Sequence, residues 1–310
     1  MRILFMGTPD FALFTLKALV LAGEEVIGVV TQPDKPKGRG YELLPPPVKV
    51  YAKSRGIPVY QPKTLRDGAF DGELAALAPD VIVVVAYGKI LPPSVLAYPR
   101  YGCINVHGSL LPQYRGAAPM QRAIIDGCTE TGVTTMLMNE GLDTGDMLLS
   151  CRLPIGERDN FEDIHDKLGA SGAALLLDTL NAIKEGHVTP IPQDHTRASY
   201  AAKIEKADCL IDFSKDAHTV YNTVRGLSPV PLAFTHTPDG KLLKVVEAEL
   251  HASAQALAAP GTVLSLDGAV EVACGTGSVR LLRVLPEGKG RMSAADYIRG
   301  RKLAVGDVLK

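Results

Sequence analysis

The chain has 310 residues, of which 46% are hydrophobic and 22% are charged, and its formal net charge is −1. This length predicts two domains, and the near-neutral charge excludes a generally basic nucleic-acid-binding protein. No apolar run reaches the roughly 18 residues that a membrane span requires. The N-terminal residues enter a buried-strand pattern and lack the features of a secretory signal, so we expect a cytoplasmic protein.

The five cysteines are widely separated and include no CxxC pair. This pattern argues against a disulfide framework and a zinc cluster, and it favours apolar packing residues. The histidines other than His107 show no ligand spacing, and we expect His165 to lie on a solvated helix face. We therefore predict no metal site.

The first part of the chain alternates between strand and helix patterns. The run at 81–86 is β-branched and apolar on both faces, which is typical of a strand in the middle of a parallel sheet covered by helices. Further strand patterns cover 2–6, 25–31, 102–107 and 131–138, and helix patterns cover 9–22, 118–126 and 160–185. This alternation predicts a doubly wound, Rossmann-like α/β fold with a parallel sheet.

The pattern changes near the end of the last of these helices. Residues 188–206 contain two prolines and lack clear periodicity, so we expect a linker there. The sequence that follows has short strand patterns with tight turns, such as the hairpin turn at Asp267-Gly268, and a capped helix at 293–300. We therefore predict a first domain at 1–187 and a second at 207–310, the second being a small open β-barrel of the OB-like type.

The segment GTPDFA at 7–12 lies at a turn from a strand to a helix. A helix N-terminus at such a turn can receive an anion, but the segment equally fits a turn that needs Gly7 for close packing. It lacks the second and third glycines of the dinucleotide fingerprint, and Pro9 removes a backbone donor. The sequence therefore disfavours a nicotinamide-dependent dehydrogenase.

A glycine-rich loop with three cations follows the second predicted strand. It contains Lys35, Lys37, Gly38 and Arg39 and begins at the carboxyl end of that strand, the side on which open α/β sheets bind ligands. Contact with phosphates and a plain solvated loop are both consistent with this composition. Residues 280–310 carry eight basic and three acidic side chains, a local excess that fits either an anionic partner or a solvated surface.

The segment 103–112 carries the strongest indication of chemistry. Asn105 and His107 are two residues apart on a predicted strand, so their side chains leave the same face. An amide N–H and a ring N–H side by side can both donate to a carbonyl oxygen on which negative charge develops. A hydrogen-bonded polar pair inside the fold has the same spacing, so the pair alone leaves both interpretations open.

A glycine-rich turn with acidic residues follows the last strand of the first predicted domain. A carboxylate from this turn near His107 would orient the ring and collect the proton that an attacking amine loses. Asp143 lies between two glycines, which makes it a better candidate than Asp146 or Glu140. The sequence contains no nucleophile elbow, so we do not expect a covalent acyl-enzyme.

Several motifs along nearly the whole chain together resemble those of the methionyl-tRNA formyltransferases. They are GTPDFA at 7–12, Thr31-Gln-Pro-Asp with Gly38-Arg39-Gly40, Ala86-Tyr87-Gly88, Asn105-x-His107-x-Ser109-Leu-Leu-Pro-x-Tyr-Arg-Gly116-Ala-Ala-Pro119, Gly141-x-Asp143-x-Gly145, and Ser293-Ala-Ala-Asp296 with Arg299-Gly300. Their order and spacing are more specific than any one motif. The resemblance implies a Rossmann-like first domain, an open β-barrel as the second, and an enzyme of one-carbon metabolism that serves translation initiation.

The resemblance also implies substrates and site residues. The donor would be 10-formyltetrahydrofolate, as a co-substrate, and the acceptor would be the α-amino group of methionyl initiator tRNA. The catalytic residues would be Asn105, His107 and Asp143, the folate contacts Ser109, Leu110, Leu111, Pro112, Tyr87 and Gly88, and the tRNA contacts Lys35, Lys37, Gly38 and Arg39. We expect a monomer, since the sequence contains no coiled coil or obvious interface segment.

Other functions share parts of this pattern. Formyltransferases that act on glycinamide ribonucleotide or sugar nucleotides, and formyl-folate hydrolases, share the residues that handle the donor. The basic loop and the β-rich second domain favour a tRNA acceptor over these. A non-catalytic RNA-binding protein would need no set of Asn, His and Asp, and a dehydrogenase would need the missing glycines.

Overall fold

The computed structural model describes residues 1–37, 42–66, 68–251, 255–300 and 302–310. The described chain divides into two compact units. The first consists of Met1–Gly116, Thr131–Leu153 and His165–Tyr200, and the second of Ala117–Glu130, Pro154–Ile164 and Ala201–Lys310.

The strands range in length from two to ten residues, and most of the described helices lie in the first two thirds of the chain. The strands are β1 (Arg2–Gly7), β2 (Glu25–Val30), β3 (Lys35–Lys37), β4 (Glu42–Leu44), β5 (Val59–Tyr60), β6 (Val81–Val85), β7 (Cys103–His107), β8 (Arg115–Gly116), β9 (Glu130–Leu137), β10 (Met147–Pro154), β11 (Tyr200–Ala201), β12 (Ala233–His236), β13 (Leu242–His251), β14 (Val263–Ser265), β15 (Val270–Ala273), β16 (Ser278–Pro286) and β17 (Met292–Ser293). The α-helices are α1 (Asp10–Leu21), α2 (Pro47–Ser54), α3 (Asp71–Leu77), α4 (Pro93–Leu96), α5 (Pro119–Ile125), α6 (Phe161–Lys184), α7 (Ala217–Gly226) and α8 (Ala294–Arg299). Short 3₁₀ helices cover His195–Arg197 and Lys206–Cys209.

The first unit is built around a seven-stranded sheet with the strand order β10-β9-β7-β6-β1-β2-β5. The pairs β1–β2, β1–β6, β2–β5 and β6–β7 are parallel, as the sequence pattern predicts. Every residue of β6 is buried, and its Ile82 and Val84 pack with Leu4 and Met6 of β1 in one core cluster. Burial on both faces is what places β6 inside the sheet.

β9 runs antiparallel to β7, which differs from the parallel sheet that the sequence predicts. His107, at the end of β7, pairs with Thr134, and Ile104 pairs with Leu137. β9 therefore enters the sheet at the carboxyl end of β7 and runs back along it. A parallel strand would first require the chain to cross to the opposite edge, and an antiparallel strand beside an otherwise parallel sheet is a common alternative.

The carboxyl ends of the parallel strands lie at one edge of the sheet. β1 ends at Gly7, β6 at Val85 and β7 at His107. A Cβ atom added to Gly7 would lie 2.7 Å from the side chain of Ala12, so the turn into α1 is closely packed and needs this glycine. The segment that follows β6 consequently lies at the same edge as the end of β7.

His165 of α6 does not lie on a solvated face, and that prediction was wrong. Only 14% of its side chain is exposed, and the rings of Phe11 and Phe14 lie 5.5 Å and 6.0 Å away. Nε2 of His165 lies 3.5 Å from the Asp10 carboxylate, and Nδ1 lies 2.9 Å from that of Asp166. The helical pattern of α6 gave no sign of this burial, because it is α1 that covers the ring.

The second unit contains an antiparallel sheet with the order β12-β13-β16-β15-β14, and β17 pairs with β16. The turn between β14 and β15 contains Gly268 at φ +68, as the hairpin pattern predicts. Ser293 accepts a hydrogen bond from the N–H of Asp296 and caps α8. The sequence did not predict α7, which contributes Val220 and Val224 to the core of this unit.

All five cysteines have free thiols, and three of them are buried. Across the described ranges, no helix is both long and apolar enough to cross a bilayer. No group of three or more acidic, histidine or cysteine side chains suited to a metal ion occurs among the residues that the structure describes.

Candidate active site

β7 presents two polar side chains from one of its faces. Ile104 and Val106 are buried, and Asn105 and His107 alternate with them along the strand. Asn105 is half-buried. Within the described part of the chain, its side-chain amide has no hydrogen-bond partner. The amide is therefore available to donate to a ligand.

The imidazole ring of His107 is buried and held from two sides. Nε2 lies 3.0 Å from the carbonyl oxygen of Tyr114, and Nδ1 lies 3.7 Å from Oδ2 of Asp143. A carbonyl oxygen can only accept, so Nε2 carries a hydrogen and donates it to Tyr114. Nδ1 is consequently the ring nitrogen that remains for Asp143 and for a ligand.

Asp143 is held in an uncommon backbone conformation. Its φ is +51, a left-handed value that residues other than glycine rarely adopt. Its Oδ2 accepts a hydrogen bond of 2.8 Å from the backbone N–H of Gly116. Only 13% of its side chain is exposed, so the carboxylate that faces His107 is largely shielded from water.

The loop at 139–146 is tied together by its own side chains. Oδ1 of Asn139 accepts hydrogen bonds from the N–H of Gly141 at 3.0 Å and from the hydroxyl of Thr144 at 2.8 Å. A Cβ atom at Gly145 would collide with the carbonyl oxygen of Leu137, so this position needs glycine. These contacts fix the path of the chain around Asp143. Among the three acids of this loop, all of which the structure describes, Asp143 is the one whose carboxylate lies within 4 Å of a His107 ring nitrogen.

The turn after β7 forms a compact wall. The hydroxyl of Ser109 is buried and donates to the carbonyl oxygen of Gln113 at 2.6 Å. The hydroxyl of Thr134 donates to the carbonyl oxygen of Ser109 at 2.8 Å, and the N–H of Leu111 donates to the same hydroxyl at 3.1 Å. Leu111 is buried, whereas Leu110 and Pro112 are half-buried. Leu110 and Pro112 are therefore the parts of this wall that a ligand reaches most easily.

Tyr87 and Gly88 follow β6 at the same edge of the sheet. The ring of Tyr87 is 1% exposed, and burial raises the pKa of its hydroxyl to about 12. The carbonyl oxygen of Tyr87 accepts hydrogen bonds from Thr8 at 3.1 Å and from Gln32 at 2.9 Å. Gly88 is exposed and has φ +77. A ligand at this edge would meet the backbone here and not the tyrosine ring.

A pocket lined by cationic side chains lies close to Gly88. Its volume is about 250 Å³, and its lining includes Lys63, Arg66 and Lys89. Nζ of Lys89 donates to the carbonyl oxygens of Pro62 and Lys63, each at 2.8 Å. Burial, and then the charge of Lys35, lower the pKa of Lys89. An anionic ligand would relieve this accumulation of positive charge.

The described part of the basic loop is a pair of short antiparallel strands. β3 pairs with β4 in antiparallel fashion, and Lys35 is exposed at its beginning. At its base, Nζ of Lys49 lies 2.7 Å from the carboxylate of Asp34 and lowers the pKa of that carboxyl group. Gly38 and Arg39 lie outside the described residues, as does the side chain of Lys37.

Arg115 and Gln193 are buried near this site, and neither was predicted from the sequence as a site residue. The side chain of Gln193 contacts both Arg115 and the backbone of Asp143. Arg115 lies within the motif that follows His107, and its place in that motif could have indicated a role at the site. Gln193 lies within the predicted linker at 188–206, where no periodicity marked it.

The matching family models and the most similar relatives described here are all formyltransferases. The family model described as "Formyl transferase" matches residues 1–180, and the model "Formyl transferase, C-terminal domain" matches 203–302. A methionyl-tRNA formyltransferase of Citrifermentans bemidjiense is 51% identical over 311 residues, covering 100% of this chain and 96% of its own. A methionyl-tRNA formyltransferase of Bacillus licheniformis is 49% identical over 98% of this chain and 96% of its own.

Two solved structures share the fold at low identity. An N-formyltransferase from Helicobacter canadensis, in complex with folinic acid and dTDP-3-aminofucose, has a TM-score of 0.69 at 18% identity and covers 91% of this chain and 98% of its own. HypX from Aquifex aeolicus, in complex with tetrahydrofolic acid, has a TM-score of 0.63 at 19% identity and covers 96% of this chain and 47% of its own.

Proposed function

The chain belongs to the methionyl-tRNA formyltransferase family and transfers a formyl group to methionyl-tRNA, and we propose that Asn105, His107 and Asp143 perform this step. The single observation that carries the assignment of residues is the contact between His107 and Asp143, with Nδ1 and Oδ2 separated by 3.7 Å, on the strand that also presents Asn105. An amide donor, an imidazole and a carboxylate are the groups that acyl transfer between two amines requires.

The first step is attack of the neutral α-amino group of methionine on the formyl carbon. A new N–C bond forms, and the formyl oxygen becomes an oxyanion. The side-chain amide of Asn105 donates to this oxygen, and Nδ1–H of His107 donates to it as well. Nδ1 takes this role because Nε2 is engaged with the carbonyl oxygen of Tyr114.

The second step releases the donor. The oxyanion collapses, and the bond between the formyl carbon and the folate nitrogen breaks. The proton that the amine loses must reach that nitrogen, and Asp143 carries it, directly or through one water. Asp143 also orients the His107 ring through the contact at Nδ1. Charge and atoms balance without a metal ion or a covalent enzyme intermediate.

The donor in this proposal is 10-formyltetrahydrofolate, a co-substrate and not a resident cofactor. Family membership supports a folate derivative. Leu110 and Pro112 offer apolar surface to its ring system, with Ser109 and Leu111 supporting them from below. Tyr87 and Gly88 offer backbone groups, and the cationic pocket beside Gly88 suits the carboxylates at the other end of a folate.

The acceptor in this proposal is the initiator form of methionyl-tRNA. Exposed Lys35 and the loop residues Lys37, Gly38 and Arg39 would contact phosphates, since cations on a glycine-rich loop neutralise backbone charge at close range. The basic residues at 280–310 would add further contacts. We also propose a cytoplasmic location, because the acceptor belongs to translation. The expectation of a monomer rests on the sequence alone, which contains no coiled coil or obvious interface segment.

The domain division at 1–187, 188–206 and 207–310 stays a prediction. For the second domain we propose an open barrel of the OB-like type. The antiparallel order β12-β13-β16-β15-β14 supports a curled sheet. The isolated bridge between Thr262 and Val308 and the bridge between Leu210 and Phe234 extend its pairing at two places.

One experiment tests the function as a whole. The purified protein is incubated with 10-formyltetrahydrofolate and, in separate reactions, with methionyl initiator tRNA, methionyl elongator tRNA or an amino-sugar nucleotide. Formyl-methionine is then measured after release from the tRNA. We expect formyl-methionine with initiator tRNA. Formylation of the sugar amine alone, or loss of formyl from the donor without transfer, would contradict the proposal.

A further inference from the structure

Two buried polar side chains support the loop that carries Asp143. Arg115 is 2% exposed and Gln193 is 6% exposed. Nε and Nη2 of Arg115 donate to Oε1 of Gln193 at 3.1 Å and 2.6 Å. Nε2 of Gln193 in turn donates to the carbonyl oxygens of Asp143 at 2.9 Å and Gly145 at 2.7 Å. Buried polar groups that are hydrogen-bonded to one another in this way make their surroundings rigid.

Arg115 determines which end of the Gln193 amide faces the loop. A guanidinium group can only donate, so the atom turned toward it must be the amide oxygen. The amide nitrogen is thereby turned toward two carbonyl oxygens, which can only accept. Without the guanidinium, rotation of the amide by half a turn would bring its oxygen against those carbonyl oxygens. The two residues therefore act as a pair. The imidazole of His195 lies on the far side, with Nδ1 3.2 Å from Nη2 of Arg115.

The contacts form a closed ring around Asp143. Gln193 holds the backbone carbonyl of Asp143, and the N–H of Gly116 holds its carboxylate at 2.8 Å. Arg115, which orients Gln193, and Gly116 are the two residues of β8. The same strand therefore supports Asp143 at its backbone and at its carboxylate. The residue before this strand, Tyr114, accepts the hydrogen bond from His107. Three consecutive residues therefore hold both members of the His107–Asp143 pair.

We propose that Arg115 and Gln193 are positioning residues that set the distance between Asp143 and His107. This inference rests on the proposed function, in which Asp143 moves a proton. The left-handed backbone of Asp143 is a conformation that persists only where surrounding contacts hold it. Both side chains are too buried to touch a substrate, so they act through Asp143.

Gln193→Glu tests the role in catalysis. Glutamate keeps the size of the side chain and an acceptor for Arg115, but it has no N–H for the two carbonyl groups. We expect kcat to fall by about 10²-fold, because a small misplacement of a reacting group has an effect of this order. KM for methionyl-tRNA should change by less than about threefold, since no binding contact is removed.

The same substitution, made in a protein that already lacks the Asp143 carboxylate, separates a positioning role from a general loss of active-site structure. In Asp143→Asn, the same Gln193→Glu substitution should change the remaining rate by less than about threefold, because residues that act as one unit are not additive. An equal fold-loss of kcat in both backgrounds would overturn the proposal.

Hydrogen exchange at the amide of Gly116 gives a second measurement that needs no activity. In Gln193→Glu, and in the uncharged Gln193→Met, this amide should exchange at least about tenfold faster, because the carboxylate that accepts its hydrogen is released. Amides of β1 and β6 should be unchanged, which shows that the sheet is intact. The control is Asn181→Asp on the exposed side of α6, which should leave both kcat and Gly116 exchange unchanged.

The outcomes distinguish this inference from the proposed function. If the wild-type protein formylates methionyl-tRNA but Gly116 exchange is unchanged in both Gln193 variants, the positioning role is wrong. If the wild-type protein transfers no formyl group, the proposed function is wrong, and Gly116 exchange still decides whether Arg115 and Gln193 hold Asp143.

Discussion

Nδ1 of His107 lies 3.7 Å from Oδ2 of Asp143, while Nε2 of the same ring lies 3.0 Å from the carbonyl oxygen of Tyr114. The backbone contact fixes the orientation of the ring and commits one nitrogen to a structural hydrogen bond. The other nitrogen faces a carboxylate that is itself held by the N–H of Gly116. The pair is therefore pre-organised, with one ring position left for chemistry.

The choice of Asp143 over the two other acids of its loop is testable by isosteric amides. Asp143→Asn should lower kcat by about 10²-fold or more, because the amide cannot accept and pass on a proton. Asp146→Asn and Glu140→Gln are the matched controls, and we expect kcat within about threefold of wild type for both. Initial rates of formyl-methionyl-tRNA formation at saturating substrates measure the difference. A larger loss in either control than in Asp143→Asn would reassign the carboxylate.

The contribution of Lys35 to tRNA binding is testable through its dependence on salt. Lys35→Gln should raise KM for methionyl-tRNA and leave kcat unchanged, since a phosphate contact adds affinity but no chemistry. The slope of log KM against log salt concentration should decrease by about one. Lys53→Gln, an exposed lysine on α2, is the control and should change neither quantity. A salt slope equal to that of wild type would remove Lys35 from the interface.

The sequence predicted the first sheet well because its signals are local. The buried run at 81–86 and the alternation of strands with helices are visible in the order of the residues alone. The direction of β9 is not, because a strand pattern reads the same in either direction and only the pairing of His107 with Thr134 reveals it. α7 was missed although its buried Ala217, Val220 and Val224 have the i, i+3, i+7 spacing of an amphipathic helix, so this helix too had a local signal in the sequence.

The site was predictable to the extent that side chains define it. A period of two puts Asn105 and His107 on one face of a strand, and the motif order supplied Asp143. The role of Tyr114 was not predictable, because the group that it offers is a backbone carbonyl, which every residue has. Gln193 was not predictable either, since its contacts with Asp143 and Gly145 join residues about 50 positions apart, and long-range pairing of this kind leaves no local pattern.

The half-buried His165 predicts a pH dependence of stability. Its hydrogen bond with Asp10 raises the pKa of the imidazole above 6.5 and lowers the pKa of Asp10 below 3.8. Because the pKa of His165 is raised on folding, its contribution is fully present below pH 6.5 and is lost as the pH rises through the folded-state pKa. Because the pKa of Asp10 is lowered, its contribution is lost only as the pH falls through its folded-state pKa.

His165→Gln should therefore lower the free energy of unfolding more at pH 6 than at pH 9. The ionic part of the loss should be about 0.5–1 kcal/mol at pH 6, a modest value because Asp10 is largely exposed. The lost packing against Phe11 and Phe14 is the same at both pH values. Urea unfolding measures each free energy. The exposed His187, changed in the same way, is the control, and an equal loss for His165→Gln at both pH values would refute the ion-pair account.

The most direct test of the catalytic assignment is the single-turnover rate of formyl transfer in Asn105→Ala and His107→Ala. Each protein is mixed in excess with methionyl initiator tRNA at a saturating concentration of 10-formyltetrahydrofolate, so that the chemical step is observed without product release. Loss of one oxyanion donor predicts a rate about 10²–10³-fold below wild type in each variant, with tRNA affinity unchanged. Rates within about threefold of wild type in both variants would contradict the account.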